Sequence, residues 1–502
     1  MTIRHRTLAL LACAALVIPA GPVTAAEPRP AAEPLPPGTE IRGWNILSNN
    51  DAGADLTIAA SRAYGINQIQ LSHQLVHHLR EIKDPARAKR VNRLTDAAHA
   101  AGASEVVVWD HSLYKLGRIA EMERTIGAIA LVKNDRVRLM AKSMPHDYHL
   151  THPNDLYVQR INRPTLIEYD AAGEFNGQGK IAGAWPQDHL ARWKYYETLP
   201  NVIGYVARTD RYDASHIVGT PTEINLYALA RAVQQPTITP EEIYADWTRS
   251  TYGAAAAPRV ASALGKSFEI VTSSLYSLGT NTANHSMLDY EPYCSSYHRH
   301  VSGKWLDPPE VTVAHTVDRR FHYWIDIIDR LSPVACKTDG ILRREAPDVL
   351  DKGWVKSGNR MDLEYLGYLV KEKDHGVRVT ESALADIEAA RPDLTAAHYR
   401  QLRAYFERTL LTARLHRAVA KAYFGYRIYA RGSSHRTPEL TRTIQDGLRE
   451  AKQVAAAIRA YPDKAASGEW NWLVDAAEAD KYYARITRGW DRYGGVKVPP
   501  PA

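Results

Sequence analysis

Short apolar segments that alternate with helical patterns constrain the fold of this chain more than any other feature. The segments typical of strands are residues 44–47, 68–71, 105–109, 137–141, 165–169 and 202–207. Apolar residues recur at helical spacing between several of them, as in the segment where Asp84 and Pro85 mark the start of a helix. This order predicts parallel strands that are joined by right-handed crossovers.

Polar and aromatic side chains lie at or just after the ends of these segments. They are Trp109 and Asp110 for the third segment, Lys142, His146 and Asp147 for the fourth, Glu168 and Glu174 for the fifth, and Arg208 and Asp210 for the sixth. A (β/α) barrel builds its catalytic mouth from residues at the carboxyl ends of its strands. We therefore predict an α/β fold of the TIM-type (β/α) barrel class.

The number of segments indicates that the barrel is incomplete. About six strands occur between Gly43 and Ala207, whereas a closed barrel has eight strands and usually about 250 residues. The two missing units would belong after Tyr114, where a single helical segment separates the third strand from the fourth.

Helical patterns dominate from Thr239 to the end of the chain. Thr239 and Pro240, followed by Glu241 and Glu242, are typical of a helix start, and further helices are predicted at residues 319–331, 395–429, 438–461 and 470–490. With 502 residues, the chain is long enough for more than one domain. We expect a barrel domain at residues 41–238 and an all-helical domain at residues 239–502.

The first 40 residues indicate export. Arg4 and Arg6 precede an apolar run at residues 8–20, and small residues near Ala26 offer a cleavage site, as in a secretory signal peptide. Residues 1–26 are the predicted signal peptide, and residues 27–40 are a Pro/Ala-rich linker. The protein is therefore expected to be secreted or periplasmic. A lipoprotein signal at Cys13 is an alternative.

Charge and cysteine content restrict the partners and cofactors. The net charge is +7 with scattered positive residues, which does not imply nucleic acid, and no other run is apolar enough to span a membrane. The basic excess suits an acidic polysaccharide, although it is also compatible with an ordinary soluble surface. Only Cys294 and Cys336 remain after signal cleavage, so one disulfide at most is expected. No cofactor is predicted, and the oligomeric state is open.

The segment from Lys142 to Gln178 resembles the α-glucuronidases of glycoside hydrolase family 67. Lys142 and Asp147 fit the family's Lys-x-x-Pro-x-Asp pattern, and residues 174–178 have Glu-Phe-Asn-Gly-Gln where the family has Glu-Tyr-x-Gly-Gln. Asn225, Leu226 and Tyr227 are similar to its Asn-Leu-Tyr helix. The resemblance covers roughly a quarter of the chain.

The resemblance implies an exported hydrolase that acts on a uronic-acid-containing glycan with inversion. Asp147 and Glu174 would activate water, and Lys142 would bind the substrate carboxylate. Three features of the family are not matched to residues of this sequence. They are its general acid, a separate arginine that helps to hold the uronate, and its N-terminal domain. Asp110 is the substitute that we expect for the acid, and Asp210 is the next candidate. An inverting glycosidase needs a carboxylic acid on one side of the sugar and a carboxylate base on the other, with room between them for a water molecule.

Other residues at the strand ends are expected to surround the substrate: Glu168, Arg208, Asp210, His146 and Trp109. Glu168 has a plainer interpretation as an ion-pair partner of Arg208. Trp109, Trp185 and Trp193 are interpreted either as sugar-stacking platforms or as core residues.

Three other hypotheses remain open at this point. His146, Asp147, His149 and His152 could bind a metal, but their spacing does not fit zinc motifs and no metal is expected. A polysaccharide lyase would use Lys142 to neutralise the uronate and Tyr148 or a nearby histidine to remove a proton. A carbohydrate-binding protein on a degenerate barrel would bind without turnover.

Overall fold

The computed structural model describes residues 39–109, 138–144, 148, 150, 154–155, 158–212, 215–277, 280–281, 286, 288, 363–462 and 476–501. The predicted signal peptide, the predicted helix at residues 319–331, Cys294 and Cys336 lie outside the described residues. So does the segment after Tyr114 where we placed the two missing strand-helix units.

Six parallel strands form one sheet in the described part of the chain. They are β1 Ile41–Ile46, β2 Gln68–Leu71, β3 Glu105–Val108, β4 Leu139–Lys142, β5 Thr165–Tyr169 and β6 Val202–Arg208. The strand order is β3-β2-β1-β6-β5-β4, so the first strand pairs with the sixth. All six coincide with the strands predicted from the sequence to within a few residues, and the parallel arrangement is confirmed.

The sheet is curled like part of a barrel. The pairing of β1 with β6 is the pairing of first and last strand that a barrel requires, and it leaves β3 and β4 as the two edges. Arg138, which directly precedes β4, lies 3.8 Å from Glu105 at the start of β3, so the edges approach each other there. This is an incomplete α/β barrel in the described residues, and its closure into a TIM barrel remains a prediction.

The two faces of the sheet differ in chemistry because side chains alternate along each strand. Trp44, Ile69, Ile167 and Tyr205 point outward and pack against the surrounding helices in one apolar core. The inner face carries a small apolar cluster of Ile41, Leu166 and Val206. Towards the carboxyl ends, the inner face becomes polar: Asn45, Gln70, Lys142, Glu168 and Arg208.

Helices connect and follow the strands. The helices of the strand-helix region are α1 Asp51–Ser61, α2 Pro85–Ala100, α3 Pro186–Tyr196 and α4 Ile224–Ala232. Helix α1 begins at Asp51, where the side chain of Asn50 caps it by accepting a hydrogen bond from the Gly53 amide. Asp84 caps α2 through the Ala86 amide with Pro85 in the first turn, as predicted.

The remainder of the described chain is almost entirely helical. Its helices are α5 Pro240–Tyr252, α6 Ala257–Gly265, α7 Ser267–Ser274, α8 Leu363–Ala390, α9 Ala396–Val419, α10 Gly425–Tyr429, α11 Pro438–Ala460 and α12 Ala476–Arg488. A short hairpin, β7 Tyr276–Ser277 with β8 Thr280–Asn281, follows α7. Thr239 and Glu242 form a complete capping box at α5, and α8 is the long helix that the sequence patterns did not identify.

The helical region shares its core with the sheet. Trp247, Ile387 and Phe406 belong to the same apolar cluster as Trp44 and Tyr205, although they lie beyond residue 238. A domain boundary at residue 238 is therefore still a prediction. Among the described helices, none combines the length and the hydrophobicity that crossing a membrane requires.

Candidate active site

Arg208 is the centre of a buried ionic cluster at the carboxyl end of the sheet. Its Nε lies 2.9 Å from Oε1 of Glu168, and its Nη1 lies 2.5 Å from Oε2 of Glu174. Each of the three side chains is at most 7% exposed. The alternative that Glu168 is an ion-pair partner of Arg208 is thus confirmed, and the same guanidinium also fixes Glu174.

Glu168 is further held by neighbours on both sides. Asn45 of β1 donates to Oε1 at 3.4 Å, and the hydroxyl of Tyr148 donates to Oε2. Lys142 stands directly opposite Glu168 in the pairing of β4 with β5. Burial alone would raise the pKa of Glu168, but the charge and hydrogen bonds of Arg208, with Lys142 and Tyr148, lower it below its usual value. Glu168 is therefore an anion at neutral pH.

The ring of Tyr148 contacts two cations. The Lys142 ammonium is 4.8 Å from the centre of its ring and the Arg208 guanidinium is 4.7 Å away. Its hydroxyl proton is committed to Glu168. Burial, and then the charge of Glu168, raise the pKa of Tyr148 well above its usual value. A tyrosine in these surroundings is a poor proton acceptor, which argues against the role that the lyase hypothesis gives it.

The loop after β5 positions Glu174. The carboxylate of Asp170 accepts hydrogen bonds from the backbone amides of Gly173 and Glu174. Ser286 accepts from the Gly177 amide at 2.8 Å and donates to the Glu174 carbonyl at 3.0 Å. The loop folds back on itself through positive φ angles at Gly173, Gly177, Gln178 and Gly179. The run of glycines in the sequence is thus explained by backbone conformation.

Asp170 was not identified as a site residue from the sequence. It follows β5 two residues after Glu168 and is therefore on the same side of the strand, which is the signal that could have revealed it. Burial raises the pKa of Asp170 to about 7, although Arg208 acts in the opposite direction. A carboxyl group beside Glu174 can therefore hold a proton near neutral pH.

Arg211 is a second guanidinium on Glu174, and it was also missed. Its Nε lies 2.7 Å from Oε1 of Glu174, on the oxygen that Arg208 does not contact. The guanidinium stacks on the ring of Tyr212 at 4.7 Å, and the hydroxyl of Ser215 accepts from the Arg211 amide at 2.7 Å. Sequence patterns do not show which of several arginines after a strand will meet a given carboxylate.

Asp210 joins the ends of two strands by hydrogen bonds. Its carboxylate accepts a hydrogen bond from the Leu47 amide at 2.7 Å and another from the Ser48 hydroxyl at 2.6 Å, so it ties the end of β1 to the end of β6. Burial raises the pKa of Asp210 to about 6, in spite of these hydrogen bonds. Asp210 is buried and makes no direct ion pair with the Arg208 cluster in the described residues.

Trp109 lies at the carboxyl end of the edge strand β3 on the inner face. Its indole nitrogen donates to Gln70 at 2.8 Å, and its ring is 5.9 Å from that of His73. Trp109 is half-buried, as a sugar platform would be, whereas Trp185 and Trp193 are buried core residues and not platforms. For Trp185 and Trp193 the interpretation as core is therefore confirmed.

Three predicted site residues lie outside the described residues: Asp110, His146 and Asp147. The structure thus brings together Glu168, Glu174, Arg208 and Lys142. The carboxylates that we expect to act with Glu174, namely Asp110 and Asp147, are not among the described residues. His149 and His152, which complete the candidate metal cluster, are also outside. Within the described ranges, no three histidine, cysteine or acidic side chains are arranged to hold a metal ion.

Comparisons with known proteins give little at the level of sequence. No family model matches the chain, and no curated protein matches it. A solved structure that it resembles is that of BtGH115A, a family GH115 4-O-methyl-α-glucuronidase with specificity for decorated arabinogalactans. The likeness has a TM-score of 0.36 and 10% identity over 94% of this chain. The chain spans about half of that protein, namely 52% of its length.

Proposed function

We propose that this protein is an exported glycoside hydrolase that acts on a uronic-acid-containing polysaccharide or oligosaccharide in the manner of an α-glucuronidase. The observation that carries the proposal is the cluster of Glu168, Glu174, Arg208 and Arg211, with Lys142 beside it, at the carboxyl end of a curled parallel sheet. That edge is where α/β barrels hold their catalytic groups. The motif likeness to family 67 supports the same chemistry, and export rests on the N-terminal sequence.

In the proposed reaction, Glu174 and Asp147 together activate one water molecule. The water oxygen attacks the anomeric carbon while its proton passes to the carboxylate pair, and a carboxylic acid gives its proton to the departing sugar oxygen. Asp110 is our candidate for that acid. The single displacement inverts the configuration at the anomeric carbon. Lys142 supplies positive charge for the uronate carboxylate.

A carbohydrate-binding protein without turnover is the second candidate, and one observation favours it. Both oxygens of Glu174 are engaged by arginines, one by Arg208 and one by Arg211. Two neighbouring positive charges stabilise a carboxylate and so weaken it as a base. A base at this position requires that one of the two ion pairs loosens when substrate binds.

The test is incubation of the purified protein with glucuronoxylan and with other uronate-bearing glycans. Release of free uronic acid without new ultraviolet absorbance supports the hydrolase. An unsaturated product that absorbs in the ultraviolet would instead establish a lyase, and saturable binding without any product would establish the binding protein. Proton NMR of the first product, taken before mutarotation, reports whether the configuration is inverted.

A further inference from the structure

The two arginines on Glu174 differ in how firmly they are held. Arg208 is 4% exposed, contacts Glu168 and Glu174 together, and lies against the Tyr148 ring. Arg211 is 16% exposed, and Glu174 is its ion-pair partner among the described residues. Arg208 is therefore held by two carboxylates, whereas Arg211 is held by one and is the more exposed of the two arginines.

The terminal nitrogens of Arg211 are not used by the described part of the chain. Its Nε binds Glu174, and its plane rests on Tyr212, but neither Nη atom donates a hydrogen bond to a described residue. A guanidinium presents its two Nη groups as a planar fork that fits both oxygens of a carboxylate. Stacking on Tyr212 restricts the orientation of this fork, which lowers the entropy lost when an anion binds.

We propose that Arg211 recognises the carboxylate of the acidic sugar through its Nη groups and thereby couples substrate recognition to Glu174. The inference rests on the proposed function and adds to it a specificity-determining residue on the β6 side of the site. One guanidinium contacts both the substrate carboxylate and Glu174. When the substrate anion takes a share of its hydrogen bonding and charge, the hold of Arg211 on Glu174 weakens while Arg208 keeps Glu174 in position.

A neutral sugar at the same place would leave the fork unpaired. Arg211 would then remain on Glu174, and the carboxylate would stay engaged by two cations. The arrangement therefore discriminates between a uronic acid and its neutral counterpart both in binding and in the subsequent step. A lysine at this position would keep the charge but lose the two-point contact and the stacking.

The kinetic test compares a uronate-bearing oligosaccharide with the same oligosaccharide after reduction of its carboxyl group to the alcohol. We expect Arg211→Gln to lower kcat/KM on the acidic substrate by about 10- to 100-fold, as for a lost charged hydrogen bond. On the reduced substrate kcat/KM should instead rise, because the substitution removes the second cation from Glu174. Arg211→Lys should fall between Arg211→Gln and the wild type. An equal loss on both substrates would show that Arg211 only positions Glu174, and it would overturn the proposal.

Arg417→Gln is the matched control. Arg417 is 18% exposed and pairs with Glu450 in the helical region, so its replacement removes a similarly buried guanidinium from an ion pair outside the cluster. This variant should keep the wild-type preference for the acidic substrate. A loss of preference in Arg417→Gln equal to that in Arg211→Gln would show that general destabilisation is the cause, and it would contradict the proposal.

A binding measurement separates this inference from the proposed function. Isothermal titration with D-glucuronate and with D-glucose needs no turnover. We expect the wild type to prefer glucuronate and Arg211→Gln to lose that preference by at least tenfold. If no glycan is hydrolysed but this pattern holds, the hydrolase is wrong and the role of Arg211 stands. If glycans are hydrolysed but Arg211→Gln keeps the full preference, Arg211 does not recognise the carboxylate.

Discussion

Arg208 and Glu168 form an ion pair on adjacent parallel strands, with Nε 2.9 Å from Oε1 and both side chains at most 4% exposed. The two strands bring the residues together because the pairing of β5 with β6 places Glu168 opposite Val206, with Arg208 two residues further on. The pair is therefore set by the sheet itself. Glu174, by contrast, is brought to Arg208 by a loop.

Replacing Arg208 by Met should destabilise the protein by about 3 to 5 kcal/mol, because Glu168 then stays buried without its counter-ion. Arg403→Met is the control, since Arg403 pairs with Glu407 on an exposed helix surface, and its loss should cost less than about 1 kcal/mol. Urea unfolding of both variants measures the difference. Equal stabilities of the Arg208 variant and the wild type would contradict the proposed importance of the pair.

Asp170 should make stability depend on pH. Burial raises its pKa to about 7, so the folded state holds a proton there between about pH 4 and 7 that the unfolded chain releases. This contribution to stability is fully present at low pH and is lost as the pH rises through about 7. The wild type should therefore lose stability from pH 4 to 8 relative to Asp170→Asn, which has no proton to lose there. The difference between their free energies of unfolding should change by on the order of 4 kcal/mol in favour of Asp170→Asn. A difference that stays constant across the series would show that Asp170 is not protonated in the folded state.

The loop that carries Glu174 should tolerate no side chain at Gly177. Its φ is +106°, and an added Cβ would lie 2.4 Å from Cγ1 of Ile181. Gly177→Ala should therefore destabilise by roughly 2 to 5 kcal/mol through backbone strain and overpacking. Gly253→Ala separates the two effects, because Gly253 has a φ of +89° but open space around it. Thermal or urea unfolding should show a clearly larger loss of stability for Gly177→Ala than for Gly253→Ala. Equal losses would show that the contact with Ile181 does not destabilise the variant.

Tyr148→Phe distinguishes the hydrolase from the lyase. The Tyr148 hydroxyl donates to Glu168 and is buried, so it supports the cluster and is not expected to take part in proton transfer. Loss of the hydroxyl removes one hydrogen bond to a charged group. We expect kcat/KM for uronic acid release to decrease by no more than about 100-fold. Complete loss of an ultraviolet-absorbing product in this variant, where the wild type forms one, would instead assign Tyr148 as the base of a lyase.

The strands were the most predictable part of this fold. Residues 165–169 and 68–71 coincide with β5 and β2, because buried parallel strands are short apolar runs that polar residues interrupt on the inner face. Helix starts with a strong cap, as at Thr239, were equally clear. Helix α8 was missed, since its buried positions include the polar residues Glu372, Lys373 and Thr380, which interrupt the apolar pattern of a buried helix face.

The candidate site was only partly predictable. Lys142, Glu168 and Arg208 were found because position at the end of a strand implies position at the mouth of the barrel. Asp170 and Arg211 were missed, since their roles depend on how two loops fold back toward Glu174. Pairing between loop residues that are 37 positions apart, as for Glu174 and Arg211, leaves no periodic pattern in the sequence.

The rate of uronic acid release from glucuronoxylan by Glu174→Gln tests whether Glu174 activates the water. The amide keeps the shape of the side chain but does not accept the proton of water, so we predict a loss of at least about a thousandfold with the fold intact by circular dichroism. Glu450→Gln, which removes a carboxylate paired with Arg417 in the helical region, should keep the wild-type rate. Release at the wild-type rate by Glu174→Gln would show that Glu174 does not activate the water.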